Sequence, residues 1–104
     1  MKSTPSHEDV LGRLILVKRQ FFGTDGQPFS ATFTLENKND FAIKDFTVRF
    51  AFYGNSGTEI SNRKQTFYEV IPAKGAKTIK KAQLGFIPRQ SFSVSAQVVD
   101  YGIP

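Results

Sequence analysis

The chain of 104 residues contains no cysteine, no tryptophan and a single histidine. Without cysteine, the sequence has no disulfide bonds, thiolate metal sites or thiol nucleophiles. No apolar run is longer than Leu14–Val17, far below the roughly 20 residues of a membrane-spanning helix. The hydrophobic share of 39% and the charged share of 22% are those of an ordinary globular domain.

The motifs of common enzyme classes are missing as well: no dinucleotide or phosphate loop, serine elbow or zinc-protease helix occurs. His7 lies in a polar N-terminal stretch, where we expect a solvated side chain and no catalytic triad. Asp40 and Asp45 flank a turn, either as solvated carboxylates or as calcium ligands at one pole of the fold. The sequence predicts a protein that is not an enzyme and that has no cofactor or metal site.

What the chain does have is phenylalanine, 11 residues in all, mostly at every second position. Apolar residues alternate with polar ones over Phe29–Leu35, Phe46–Phe52 and Phe92–Val98. Such alternation indicates strands with one face in the core, and we expect the Phe series to pack there. The sequence therefore predicts an all-β fold, an immunoglobulin-like β-sandwich of six to seven antiparallel strands.

Turn residues divide the chain into six segments of predicted strand, and the phase of the apolar pattern slips once. Between Ile79 and the series Ala82, Leu84 and Phe86 one extra residue, a β-bulge, would restore both to the core face. Residues 1–9 are polar and aperiodic, which predicts a flexible lead-in, and residues 10–104 form a single sandwich domain. The predicted strands are 11–21, 29–37, 46–53, 58–67, 76–86 and 91–101.

The net charge of +5 is concentrated in residues 63–89, which contain seven basic residues and one acidic residue. This excess predicts a candidate patch for anionic lipid or acidic polysaccharide. The alternative is that lysines on edge strands prevent edge-to-edge aggregation. Nucleic acid is a poor fit, because no aromatic residues are interleaved with the charges. The candidate patch consists of Arg63, Lys64, Lys74, Lys77, Lys80 and Lys81.

Three tyrosines, Tyr53, Tyr68 and Tyr101, are candidates for exposed contacts with a partner. Tyr53 ends a strand in which Phe50 and Phe52 share the opposite face, so its ring is expected at the rim.

The segment Phe50-Ala51-Phe52-Tyr53-Gly54 resembles the F-x-L-Y-D motif of the FxLYD domain, with Phe for Leu and Gly for Asp. The resemblance extends over residues 29–99 and includes the break at 37–40. The chain is also similar to the WHy domain of late-embryogenesis proteins. It departs from that family at Asn37-Lys38-Asn39, where WHy domains have Asn-Pro-Asn. The FxLYD resemblance implies a bacterial envelope-associated binding or scaffolding module without catalytic residues.

Two functions from different classes remain open. The first is an extracytoplasmic module that binds an unidentified protein partner, by adding a strand to a free sheet edge. The second is an anion-binding module that uses the basic patch. An intracellular stress-protective domain of WHy type is a third alternative. Residues Met1–Pro5 do not resemble a signal peptide. We therefore expect an extracytoplasmic location only if the native protein starts before Met1, and a cytoplasmic location otherwise.

Overall fold

The computed structural model describes residues 6–24 and 26–104 of the chain. Nearly all regular structure is strand, which confirms the all-β prediction. The elements are α1 (His7–Gly12), β1 (Leu14–Phe22), β2 (Pro28–Asn37), β3 (Ile43–Tyr53), β4 (Glu59–Ile71), β5 (Ala76–Phe86) and β6 (Ser93–Gly102).

The six strands of the described residues form two antiparallel three-stranded sheets, ordered β1-β2-β5 and β4-β3-β6. These orders match strands A-B-E and C′-C-F of an immunoglobulin sandwich, so the predicted fold class is confirmed with six strands. In an immunoglobulin domain strand G pairs with strand F. Within the described residues the second sheet ends at β6, the counterpart of strand F.

Phenylalanines from the two central strands fill the space between the sheets. Phe29 on β2 lies edge-to-face against Phe50 and Phe52 on β3, with ring centroids 5.8 and 5.2 Å apart. These three rings are at most 1% exposed, and each contributes about 1.5–3 kcal/mol through burial. The predicted core role of the Phe series is confirmed for these residues and for Phe33 and Phe46.

Phe92 is an exception, because its side chain is 74% exposed and does not join the core. The alternating pattern extends the last strand back to residue 91, but β6 begins at Ser93. The chain is still turning at Gln90, whose φ is +67°. The ring of Phe92 therefore falls outside the sandwich, and its predicted core position is wrong.

The predicted bulge in β5 is confirmed by the strand register. Ile79 pairs with Phe33 and Ala82 with Ala31, so Lys80 and Lys81 together oppose a single residue of β2. Lys81 has a φ of +48°, and its backbone N–H donates to the Thr32 hydroxyl at 2.9 Å. The extra residue returns Ala82 and the buried Leu84 to the core face, as the change of phase in the sequence requires. Phe86, which the same pattern placed in the core, is 64% exposed at the end of β5, so that part of the prediction is wrong.

The N-terminal residues differ from the aperiodic lead-in expected for 1–9. Residues 1–5 lie outside the described part of the chain, whereas α1 begins at His7. Ser6 and Asp9 form a capping box, with Ser6 Oγ accepting from the Asp9 N–H at 3.1 Å. Val10 then packs into the fold at 2% exposure. A helix of six residues shows too little periodicity to be recognised beside the strand pattern.

Two asparagines join α1 to the end of the sandwich where β2 ends and β3 begins. Asn37 Nδ2 donates to the carbonyls of Phe41 at 2.9 Å and of Pro72 at 3.1 Å. Asn39 Nδ2 donates to the carbonyl of Val10 at 3.3 Å and to Asn37 Oδ1 at 3.0 Å. Both side chains are 1% exposed, so residues predicted only as turn formers are buried structural ties.

Candidate functional site

The residues of the candidate anion-binding patch lie on β4, on β5 and in the turn that joins these two strands. β4 and β5 are edge strands of opposite sheets and lie beside one another. We call this the β4–β5 side. It carries Arg63 and Lys64 on β4, Lys74 in the turn before β5, and Lys77, Lys80 and Lys81 on β5.

Arg63 bridges the two sheets. Its Nη1 donates to the carbonyl of Leu84, and its Nη2 donates to the carbonyl of Phe86 at 2.6 Å. The guanidinium carbon lies 5.0 Å from the centre of the Phe52 ring, within cation–π range. A Cβ added at Gly85 would lie only 2.6 Å from Arg63 Nη1. The Arg63 side chain therefore occupies the space that a side chain at position 85 would need. Arg63 therefore joins β4 to β5, and we assign it a structural role.

Two lysines of the patch have acidic partners within the chain. Lys74 Nζ lies 3.1 Å from Asp40 Oδ1 and donates to the carbonyl of Lys38 at 2.8 Å. Lys77 Nζ lies 3.7 Å from Glu69 Oε2, across the gap between β5 and β4. Three exposed candidates remain that form no ion pair within the described part of the chain: Lys64, Lys80 and Lys81.

Asp40 and Asp45, the pair considered for calcium, both lie near lysines. Asp40 is the partner of Lys74, and Asp45 Oδ2 lies 3.9 Å from Lys44 Nζ. Over residues 6–24 and 26–104 no group of three or more histidine, aspartate or glutamate side chains is placed to hold a metal ion.

The three tyrosines do not converge on a common surface site. Tyr68 on β4 is 81% exposed. Tyr53 is partly buried, and its hydroxyl lies 3.2 Å from the Ser95 hydroxyl on β6. Tyr101 is partly buried beneath His7, with ring centroids 4.8 Å apart and planes 15° from parallel. Only Tyr68 combines high exposure with a position on an edge strand.

Arg49 and Glu59 form the shortest ion pair among the described residues. Arg49 Nη2 donates to both carboxylate oxygens of Glu59 at 2.8 Å. This hydrogen bond, together with one from Asn62, holds the pKa of Glu59 below its ordinary value of 4.5, against a smaller opposing effect of desolvation. The pair attaches the start of β4 to the outer face of β3.

The free strand edges differ in how they are protected. β1 and β5, the edges of one sheet, are each interrupted by a bulge that places a lysine at positive φ, +53° at Lys18 and +48° at Lys81. On β4 the stretch 61–67 pairs regularly with β3 but carries two adjacent charges, Arg63 and Lys64. Bulges and lysines are the usual means of preventing unwanted strand pairing.

The edge of β6 lacks these features from Ser93 to Val98. These six residues pair one by one with β3, from Tyr53 back to Val48, and the register first slips after Val98. The sequence Ser-Val-Ser-Ala-Gln-Val contains no charge and no proline. A regular, uncharged edge presents unpaired N–H and C=O groups on which another strand can align.

Beside this edge lies a cleft between β6 and β1, which we call the β1–β6 side. It contains a cavity of about 300 Å³, the Phe92 cavity, and a second of about 290 Å³, the Arg19 cavity. The Phe92 cavity is lined by Phe21, Gly23, Thr24, Phe29, Phe52, Ile87, Ser91, Phe92, Ser93 and Val94. The Arg19 cavity is lined by Leu11, Gly12, Leu14, Ile15, Leu16, Arg19, Ala96, Gln97 and Val98.

The first turn of helix α1 lies against the far end of β6, whereas Leu11 and Gly12 reach the Arg19 cavity beside Ala96–Val98. His7 stacks on Tyr101, and His7 Nε2 lies 3.8 Å from Asp100 Oδ1. The His7 side chain is thus held against β6, not isolated in solvent as expected, although it remains 53% exposed. From Ser93 to Gln97 the residues of β6 alternate between exposed and partly buried.

Sequence reasoning did not find this cleft, although two of its signals are visible. The stretch 90–99 is free of charge, and Phe92 follows a turn that contains Pro88. Neither signal shows that β6 is an edge strand or that it lies beside β1, because both depend on pairings between distant segments.

No family model matches the chain, and comparison with curated proteins and with solved structures gave no match either. The FxLYD and WHy resemblances therefore stay predictions. Within the described residues, no helix has the length and apolar character needed to cross a membrane.

Proposed function

We propose that this chain is a non-enzymatic binding module that takes up an extended segment of a partner protein as an added strand on β6. The observation that carries the proposal is the regular, uncharged edge Ser93–Val98. Main-chain hydrogen bonds supply affinity in this mode of recognition, and neighbouring pockets supply specificity.

The order of the strands supports the same site. β6 corresponds to strand F, and an added strand would occupy the position that strand G holds in an immunoglobulin sandwich. There the new strand would extend the β4-β3-β6 sheet and cover the cavities between β6 and β1. Burial of their apolar lining would add to the main-chain hydrogen bonds.

Binding of an anionic lipid or polymer is the second candidate. It is favoured by Lys80 and Lys81, which are exposed on the β5 bulge and form no ion pair with any described residue. It is weakened because Arg63, Lys74 and Lys77 are engaged within the fold. The extracytoplasmic setting remains part of the proposal and rests on the FxLYD resemblance alone.

A displayed library of random peptides long enough to span Ser93–Val98 tests the proposal. Peptides selected on the protein should slow amide hydrogen exchange across Ser93–Val98 and leave residues 61–67 of β4 unchanged. Binding should survive moderate salt, because main-chain pairing and apolar burial are weakly screened. Protection confined to β4 or β5, or failure to select any peptide, would overturn it.

A matched pair of variants sharpens the test. Ser95 on β6 and Asn62 on β4 flank the same residue, Ala51, on the outer face of the sheet. Ser95→Lys places a charge on the proposed docking edge and should weaken the selected peptides about tenfold, whereas Asn62→Lys should have little effect. Equal effects of the two substitutions would contradict the assignment to β6.

A further inference from the structure

Resting on the proposed function, we propose that the strand taken up on β6 belongs to a different protein and carries two recognition side chains on its inner face. One is a large apolar residue that enters the Phe92 cavity. The other is an acidic residue, four positions away, that pairs with Arg19.

The Phe92 cavity continues directly from the proposed docking edge. Ser93 and Val94, the first residues of β6, form one wall, and Phe21 of β1 lies among the lining residues. Val94 pairs with the core residue Phe52 and therefore directs its side chain inward. An added strand would place an inward side chain beside Val94, at the mouth of this cavity.

The lining of the cavity indicates what that side chain is. Phe29 and Phe52 at its base are 1% exposed, and Phe92 at its rim is 74% exposed. A volume of about 300 Å³ lies at the lower end of the range for small-ligand pockets. An aromatic or large aliphatic side chain is the group that such a lining favours.

Arg19 supplies the second recognition element. It is exposed at the rim of the Arg19 cavity, and it forms no ion pair with any residue that the structure describes. Val98 lines that cavity and lies four residues beyond Val94, on the same face of β6. Four residues of strand span about 13 Å, so the apolar and acidic side chains are expected four positions apart.

A second copy of this chain fits the cleft poorly. Its own β6 would offer Val94, Ala96 and Val98, which are too small to fill the Phe92 cavity. Two copies would also each bring a net charge of +5. Apolar fit and charge both favour a different, acidic partner.

Synthetic peptides of alternating Thr and Val provide the probe. The parent peptide carries Phe at the position opposite Val94 and Glu four residues away. Replacing Phe by Ala should weaken binding about tenfold or more, because the apolar surface of the ring is then no longer buried in the Phe92 cavity. Replacing Glu by Lys should weaken binding several-fold, and added salt should reduce that difference. Moving Glu by one residue should have the same effect, because it then faces outward.

The protein offers a matched control for the cavity. Phe92→Ala removes its exposed wall, whereas Phe86→Ala removes a ring of similar exposure, 64%, that is not among the lining residues. Only Phe92→Ala should weaken the parent peptide, and it should do so about fivefold or more. Arg19→Gln should abolish the difference between the Glu and Lys peptides.

The outcomes separate the two proposals. If the Phe and Ala peptides bind equally while both protect Ser93–Val98 from exchange, the inference about the anchor is overturned and strand addition stands. If neither peptide protects Ser93–Val98, both proposals are overturned. If the chain itself associates through β6 and excludes the peptides, the occupant is a second copy and the inference is wrong.

Discussion

On the β4–β5 side of the sandwich a charged side chain spans the gap between the sheets, whereas on the β1–β6 side the gap contains two cavities with mainly apolar linings. Arg63 donates to two carbonyls of β5, and Lys77 reaches Glu69. The opposite side has Val94 and Ala96 on β6 facing Phe21 and Leu16 on β1, with cavities between them.

The difference teaches that a cluster of charge in a sequence does not by itself mark a binding surface. The most basic third of this chain includes the side chains that link its two sheets. An uncharged stretch, Ser93–Val98, forms the edge that we propose as the docking site. We expect the bridged side to contribute to stability, and the open side is the proposed recognition surface.

The largest effect is expected where the bridge is removed. Arg63→Met leaves the carbonyls of Leu84 and Phe86 without their donor, and should lower the free energy of unfolding by about 2 kcal/mol. Lys64→Met, next to it on the same edge strand, should change it by less than about 0.5 kcal/mol. Urea-induced unfolding measures both. If both variants lost the same free energy of unfolding, the contacts of Arg63 with β5 would not be what stabilises the β4–β5 side.

The second prediction compares packing at the open side with packing in the centre. Val48 and Val94 both face inward on the β4-β3-β6 sheet, but Val48 is fully buried and Val94 lines the Phe92 cavity. Val48→Ile adds a methylene group to the filled core and should lower the free energy of unfolding by about 1 kcal/mol. Val94→Ile should be neutral or stabilising by up to about 0.5 kcal/mol, because there is room for the group.

Thermal and urea unfolding of the two isoleucine variants measure this difference. A loss at Val94 as large as that at Val48 would mean that the cleft is closed in solution, and would count against the proposed docking site.

The smallest effect concerns an exposed ion pair on the β4 edge. The hydrogen bond from Arg49 lowers the pKa of Glu59 in the folded protein, so the stabilisation is present above the ordinary pKa of 4.5. It is lost as the pH falls through the lowered pKa. Wild type should therefore exceed Glu59→Gln in stability at neutral pH, and this advantage should diminish in acid.

Unfolding measured from neutral pH down to acid tests this sign, and Arg49→Met serves as the control because it removes the same hydrogen bond. A difference between wild type and Glu59→Gln that grows in acid would contradict the assignment.

Much of the fold was predictable because its signals are local. The alternation of phenylalanine with polar residues identified the central strands, and the change of phase near Ile79 identified the bulge. The same local rule failed at Phe92, where alternation continued one residue beyond the point at which the strand begins. It also missed α1, whose capping box and single buried valine are too short to give a period.

The candidate site was not predictable to the same degree. The basic residues were found by composition, but Arg63 as a bridge depends on the carbonyls of Leu84 and Phe86, more than 20 residues away. The burial of Asn37 and Asn39 likewise depends on α1 and on the end of β4. Contacts at such separation leave no trace in a short window of sequence.

The sequence by itself determined which segments are strands, which face of each is apolar and where the charge is concentrated, because these properties follow from neighbouring residues and the period of the backbone. Tertiary structure decided which strands are edges, which basic side chains are engaged and which apolar residues line a cleft. Those outcomes depend on the order in which distant strands pair.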